Sequence, residues 1–149
     1  MLTTIEKVIF LQDVDVFEYT STEDLSHIAA ITSEIEVKKD GIIYKEGDIS
    51  DALYLIIDGT VSLRREAAEI MQGKARDVFG TWALFDDEPR VVSATALEDC
   101  RLLRILKEDF VELLSDHVGI TQGVLKKMVK RLRSLVGRTG TETAPRDGT

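Results

Sequence analysis

The chain has 149 residues, 44% of them apolar, with 27 acidic against 19 basic residues and a net charge of −8. That length supports one domain with a real core. The acidic balance argues against a nucleic-acid binder on bulk charge, and the longest unbroken apolar run, residues 52–57, is far too short to span a bilayer.

Residues 1–11 carry Glu6 and Lys7 inside their apolar pattern, which is not the pattern of a secretory leader. Residues 3–11 read as a short helix with Ile5, Val8, Ile9 and Leu11 on one face. Residues 22–31 form a second, capped by Ser21 or Thr22, with Leu25, Ile28 and Ala29 at helical spacing.

From Glu34 the apolar period changes to two. Ile35 and Val37 alternate with charged residues, Gly41 turns the chain into residues 42–44, and residues 45–48 turn it again. Residues 51–57 are the strongest strand. Asp58-Gly59 is a hairpin signal, so residues 60–64 are the expected partner strand. Residues 69–71, 90–97 and 100–106 complete a run of short strands, the pattern of an antiparallel roll or barrel.

The helical period returns at the end. Residues 107–114 form one helix, and Ser115 or Asp116 starts a longer one to about Val136. On it Val118, Thr121, Leu125, Met128, Leu132 and Leu135 step by threes and fours, a heptad seam whose part Leu125, Met128, Leu132 and Leu135 either pairs with a second copy, the favoured reading, or packs on its own roll. Between His117 and Arg138 lie six basic and no acidic residues, read as a solvated face complementing the acidic body. Residues 137–149, without apolar pattern, are expected to be disordered.

Cys100 stands alone, so a reducing, cytoplasmic setting is the simple expectation. His27 and His117 lie far apart with no cysteine near either. No nucleophile–base pair, metal spacing or Walker-type loop appears, so neither catalysis nor a resident metal or cofactor is expected.

One segment argues for a ligand. Phe79-Gly80-Thr81-Trp82-Ala83-Leu84 is a glycine-opened apolar turn, Asp86-Asp87-Glu88 a polar loop, and Arg90 heads a strand. Free N–H groups plus one guanidinium suit a small anion. Arg90 either binds phosphate or is satisfied by Asp86, Asp87 or Glu88. Trp82 either stacks on a base or packs on the roll.

Gly41, Glu46-Gly47-Asp48, residues 53–56, Asp58-Gly59 and the run from Asp77 through Phe79-Gly80 and Pro89-Arg90 to Ala96 follow one another at a characteristic spacing. In this the chain resembles the cyclic-nucleotide-binding domains, the β-roll of the catabolite activator protein and of the regulatory subunits of cAMP-dependent kinase. The resemblance implies an eight-stranded, jelly-roll-like antiparallel β-roll with N-terminal helices and two C-terminal helices. It assigns residues 1–31 to the first helices, 34–106 to the roll and 107–136 to the last helices. It also implies a phosphate-binding cassette formed by Gly80, the N–H groups of Ala83 and Leu84, and Arg90.

The cassette departs from the family's pattern. Thr81 stands where the family carries a glutamate that accepts from the ribose 2′-hydroxyl, and losing that bond implies a loss of roughly one to two powers of ten in affinity. Val91 and Val92 stand where Ala or Ser is usual, Lys74-Ala75-Arg76 replaces a Gly-Pro-Gly turn, and Ser93 keeps a small polar group near the base. The expected function is a regulatory module sensing cAMP, cGMP or another phosphate-bearing ligand. The alternative is a non-binding domain used for dimerisation or protein contact, within a larger regulatory or transport protein. No helix-turn-helix follows the long helix, so DNA binding is not expected.

Overall fold

The computed structural model describes residues 1–139, the side chains of residues 82, 138 and 139 excepted. Helix α1 (Thr4–Gln12) is closed at its start by a capping box between Thr3 and Glu6. A 3-10 turn (Asp15–Phe17) leads to α2 (Thr22–Ala30), capped by the Ser21 hydroxyl, which accepts from Asp24 N–H. The roll then runs β1 (Thr32–Val37), β2 (Ile42–Tyr44), β3 (Ala52–Asp58), β4 (Val61–Arg65), β5 (Ala68–Gly73) and β6 (Val78–Phe79). A second 3-10 turn (Thr81–Leu84) precedes β7 (Ser93–Ala96) and β8 (Cys100–Leu106). Helices α3 (Lys107–Asp116) and α4 (Val118–Thr139) close the described chain.

The eight strands form two antiparallel four-stranded sheets, ordered β1-β8-β3-β6 and β2-β7-β4-β5. The period-two pattern explains how they face one another. Ala52, Tyr54 and Ile56 of β3 point into the roll, with Phe79, Leu63, Ala94 and Leu102. Leu53, Leu55 and Ile57 point the other way, onto a second core made with Leu11, Phe17, Ile28, Phe110 and Ile120 of the helices. Strand β3 is therefore buried on both faces, which is why it reads as a continuous apolar run.

Four expectations are corrected. First, residues 60–64 do not pair with β3, because both edges of β3 are taken, by β8 and β6. The Asp58-Gly59 turn instead carries the chain into the other sheet, where β4 pairs with β5 and β7. Second, Arg90 does not head a strand. Its N–H donates to Asp48 O (2.9 Å) and its carbonyl accepts from Gly47 N–H (2.8 Å), so β7 begins only at Ser93. Third, Ile5 and Ile9 are exposed, because α1 docks along the line of Val8 and Leu11 and turns those two away. Fourth, α4 starts at Val118. His117 N–H closes α3 onto Leu113 O (2.9 Å), and Ile120 N–H opens the next helix on His117 O (3.0 Å). At its far end α4 takes in residues 137–139; residues 140–149, expected to be disordered, lie outside the described residues.

The basic run of α4 meets the acidic N-terminal segment. Lys127 Nζ lies 2.9 Å from Asp15 and 2.5 Å from Glu18, and Arg131 pairs with Asp15. Lys126 lies over the Tyr19 ring at 4.9 Å. The hydrogen bond from Lys127, then that from Arg131, holds the Asp15 carboxyl below its usual range.

Candidate functional site

A cavity of about 670 Å³ opens beside the second 3-10 turn. Its size is that of a small-molecule site. Five of the residues singled out in the sequence, Gly80, Thr81, Ala83, Arg90 and Val91, line it. Tyr44, Leu63 and Val92 also line it, with Ile70 and Met71 of β5, where Met71 stands opposite Leu63 in the β4–β5 ladder.

Arg90 is the charged centre. Its side chain is only 5% exposed, although it carries a permanent charge. Its Nη2 donates to Ala52 O at 2.8 Å. The guanidinium lies over the Tyr44 ring at 3.9 Å, and the nearest carboxylate, the exposed Asp51, stands at 3.9 Å. The Nε–H is buried without a hydrogen-bond partner among the described residues. A buried cation this sparsely paired is costly unless an anion joins it.

The acidic trio does not satisfy Arg90. Lys107 takes it instead: Nζ donates to Asp86 O at 2.5 Å and pairs with the Asp87 carboxylate. That contact, chiefly the hydrogen bond, keeps the Asp87 carboxyl low. The Asp86 carboxylate accepts from Glu88 N–H within its own loop. Asp86 and Glu88 border the same cavity as Arg90, yet the loop is tied to the head of α3 through Lys107, and no ion pair joins the trio to Arg90 among the described residues.

Gly80 has φ +78, and a Cβ there would lie 2.8 Å from Arg90 Nη1 and 3.0 Å from Ala52 O. Only glycine lets the turn pass this close to the guanidinium. Burial pushes the Tyr44 phenol up to about 12, with Arg90 partly opposing the shift.

Two expected residues stand apart from the cavity. Leu84 is buried in the helix-side core. Ser93 is outside the lining, its hydroxyl accepting from Glu46 N–H at 3.0 Å. Ala83 N–H donates to Gly80 O at 3.1 Å within the turn. The two readings of Trp82 concern a side chain outside the described residues. Where the family has Gly-Pro-Gly, Arg76 adopts φ +78 as a non-glycine residue, tied by its guanidinium to Asp13 and laid over the Phe10 ring at 5.0 Å.

Sequence reasoning missed Tyr44, Leu63, Ile70 and Met71. The available signal was Ile70-Met71, two adjacent large apolar residues that stand exposed on β5.

Of the seam, Leu125, Leu132 and Leu135 are exposed, Leu125 by 58% and Leu132 by 62%. Met128 instead packs on the helix-side core behind Ile120 and Val124. His27 and His117, expected far apart, are brought together: their rings stack at 4.0 Å, because the α3–α4 junction folds back on α2. No helix among the described residues is long and apolar enough to cross a membrane.

The family model described as cyclic nucleotide-binding domain matches residues 34–117. The chain is 29% identical over 117 residues to a CRP-like cAMP-activated global transcriptional regulator of Mycobacterium tuberculosis, covering 72% of this chain and 52% of that protein. It is 30% identical over 132 residues to lysophospholipase nte1 of Aspergillus terreus, covering 83% of this chain and 8% of that one. The chain thus spans about half the length of the regulator and a small part of the lysophospholipase. Among solved structures, the N-terminal domain of a transcriptional regulator from Streptomyces coelicolor A3(2) superposes with a TM-score of 0.80 at 26% identity, covering 93% of this chain and 99% of that one.

Proposed function

The chain belongs to the cyclic nucleotide-binding domain family, and on that premise we propose that it is a non-catalytic regulatory module, acting in the cytoplasm, that takes a phosphate-bearing ligand of the cAMP or cGMP type against Arg90. The observation that carries this reading is the buried Arg90 guanidinium, with its Nε–H unpartnered among the described residues, beside a glycine that keeps the approach open. A cyclic phosphate supplies the missing acceptor, and each charge-assisted bond contributes about 1.5–3 kcal/mol. The apolar lining from Leu63, Ile70, Met71 and Val92 suits the flat faces of a base. Thr81 lines the cavity without a carboxylate to receive a ribose hydroxyl, so the affinity is weak.

Titration calorimetry with cAMP and cGMP tests this. Saturable binding is expected, lost in Arg90→Gln and strengthened roughly tenfold or more in Thr81→Glu. No heat at millimolar nucleotide in either the natural chain or Thr81→Glu overturns it.

A second reading is favoured by α4. Exposed Leu125, Val129 and Leu132 lie along one side of the helix, and Lys127 and Arg131 are drawn off to Asp15. This supports a two-fold helix pair, with the domain serving as a contact module whether or not a ligand enters.

A further inference from the structure

We propose that Asp24, His27 and His117 bind a divalent transition metal of the zinc class, clipping α2 to the junction of α3 and α4. Asp24 and His27 stand one turn apart on the same face of α2. His117 is the single residue between α3 and α4. One donor atom from each lies within 4.8 Å of the others. A tetrahedral site with bonds of 2.0–2.1 Å needs donors about 3.3 Å apart, so the three side chains draw together when the ion enters.

The donor set selects the metal. Two imidazoles and one carboxylate suit zinc and its first-row neighbours over magnesium or calcium, which prefer oxygen. All three residues are half-buried, which leaves the fourth position to water.

Two further observations favour a ligand here. The two rings stack at 4.0 Å and 24°, and among the described residues neither ring nor the Asp24 carboxylate makes a hydrogen bond or ion pair. Three metal-ligating groups are thus gathered with no hydrogen-bond or ion-pair partner for their side chains among the described residues. In addition, the first turn of α4 crosses this carboxylate at Gly119, where a Cβ would lie 2.7 Å from Asp24 Oδ2. The absent side chain keeps the carboxylate where the two rings meet it. The cluster is built from the N-terminal helices and the C-terminal junction, so an ion there holds together segments that the sheet separates in sequence.

The test uses the whole chain, stripped with EDTA and titrated with Zn²⁺ by calorimetry and with Co²⁺ by visible absorption. One equivalent per chain is expected, with affinity near the micromolar range and ligand-field bands for Co²⁺ that zinc displaces. His27→Gln, His117→Gln and the near-isosteric Asp24→Asn each weaken binding at least about tenfold, with circular dichroism unchanged. Gly119→Ala weakens it also, by displacing the carboxylate. Zinc raises the melting temperature of the natural chain reversibly to EDTA. Dissociation constants at or above about 1 mM, or uptake that the three ligand variants leave unchanged, overturn the proposal.

Discussion

The guanidinium carbon of Arg90 sits 3.9 Å from the centre of the Tyr44 ring. The aromatic face seats the cation where backbone and carboxylate contacts alone leave it under-paired. Replacing Tyr44 with Leu removes that seat, and a cation–π contact in a desolvated place is worth about 1–2 kcal/mol. Nucleotide affinity is expected to fall roughly tenfold in Tyr44→Leu and to stay within about twofold in Tyr44→Phe, measured by calorimetry.

Tyr44 also predicts alkaline behaviour. Its folded pKa is raised to about 12 from 10.0, chiefly by burial. The contribution is therefore complete below pH 10 and declines as pH climbs toward 12, because the unfolded phenol ionises first. Urea midpoints of the natural chain are expected to drop more steeply over that range than those of Tyr44→Phe.

Gly80→Ala is expected to be damaging on two counts. A left-handed residue with a Cβ costs about 1–2 kcal/mol, and the new methyl meets Arg90 Nη1 and Ala52 O. Chemical denaturation should register a loss of about 2 kcal/mol or more, and nucleotide binding should vanish with it.

Arg76 separates strain from contact. Its φ of +78 favours glycine, yet its side chain reaches Asp13 and Phe10. In Arg76→Gly the relief of strain offsets the lost surface contacts, so stability stays within about 0.5 kcal/mol. Arg76→Ala keeps the strain and loses the contacts, and is expected to be about 1 kcal/mol less stable than Arg76→Gly.

The attachment of α4 should weaken in acid. Asp15 has a lowered folded pKa, first through Lys127, so its contribution is present above the usual carboxylate range and disappears as pH falls through the folded value. Asp15→Asn should be less stable than the natural chain at neutral pH, and the gap should close only in acid, below the usual carboxylate range, by urea midpoints.

Leu125→Glu with Leu132→Glu tests the helix pair. Light scattering of the natural chain is expected to give a dimer mass, and of the double variant a monomer with unchanged circular dichroism, since both positions are exposed.

Much of the fold was legible in the sequence, because period and position were informative together. Cys100–Leu106, rich in leucine and isoleucine, is a strand over those limits, and Ser21 caps α2 as its hydroxyl demands. Pairing was less legible. Asp58-Gly59 specifies a turn but not which sheet receives the next strand, and that depends on β6 and β8 occupying the edges of β3. The site divides the same way. Gly80 and Arg90 carry local signatures. The partners of Arg90, Tyr44 and Ala52, come from strands that only the folded roll brings near, while the nearer Asp87 goes to Lys107. The meeting of His27 with His117 depends on the bend between α3 and α4, which no local pattern encodes.

Two carbonyls where the chain enters strand β3, those of Asp51 just before it and of Ala52, do different work. Ala52 O accepts from Arg90, and Asp51 O accepts from Lys107 N–H at 2.8 Å, the first residue of α3. Lys107 also grips the loop at Asp86 and Asp87. An anion that draws Arg90 away from Ala52 therefore tugs on a peptide plane whose neighbour anchors α3. Any such message crosses one amide link, and the double-sided apolar core beneath β3 can stay at rest while it passes.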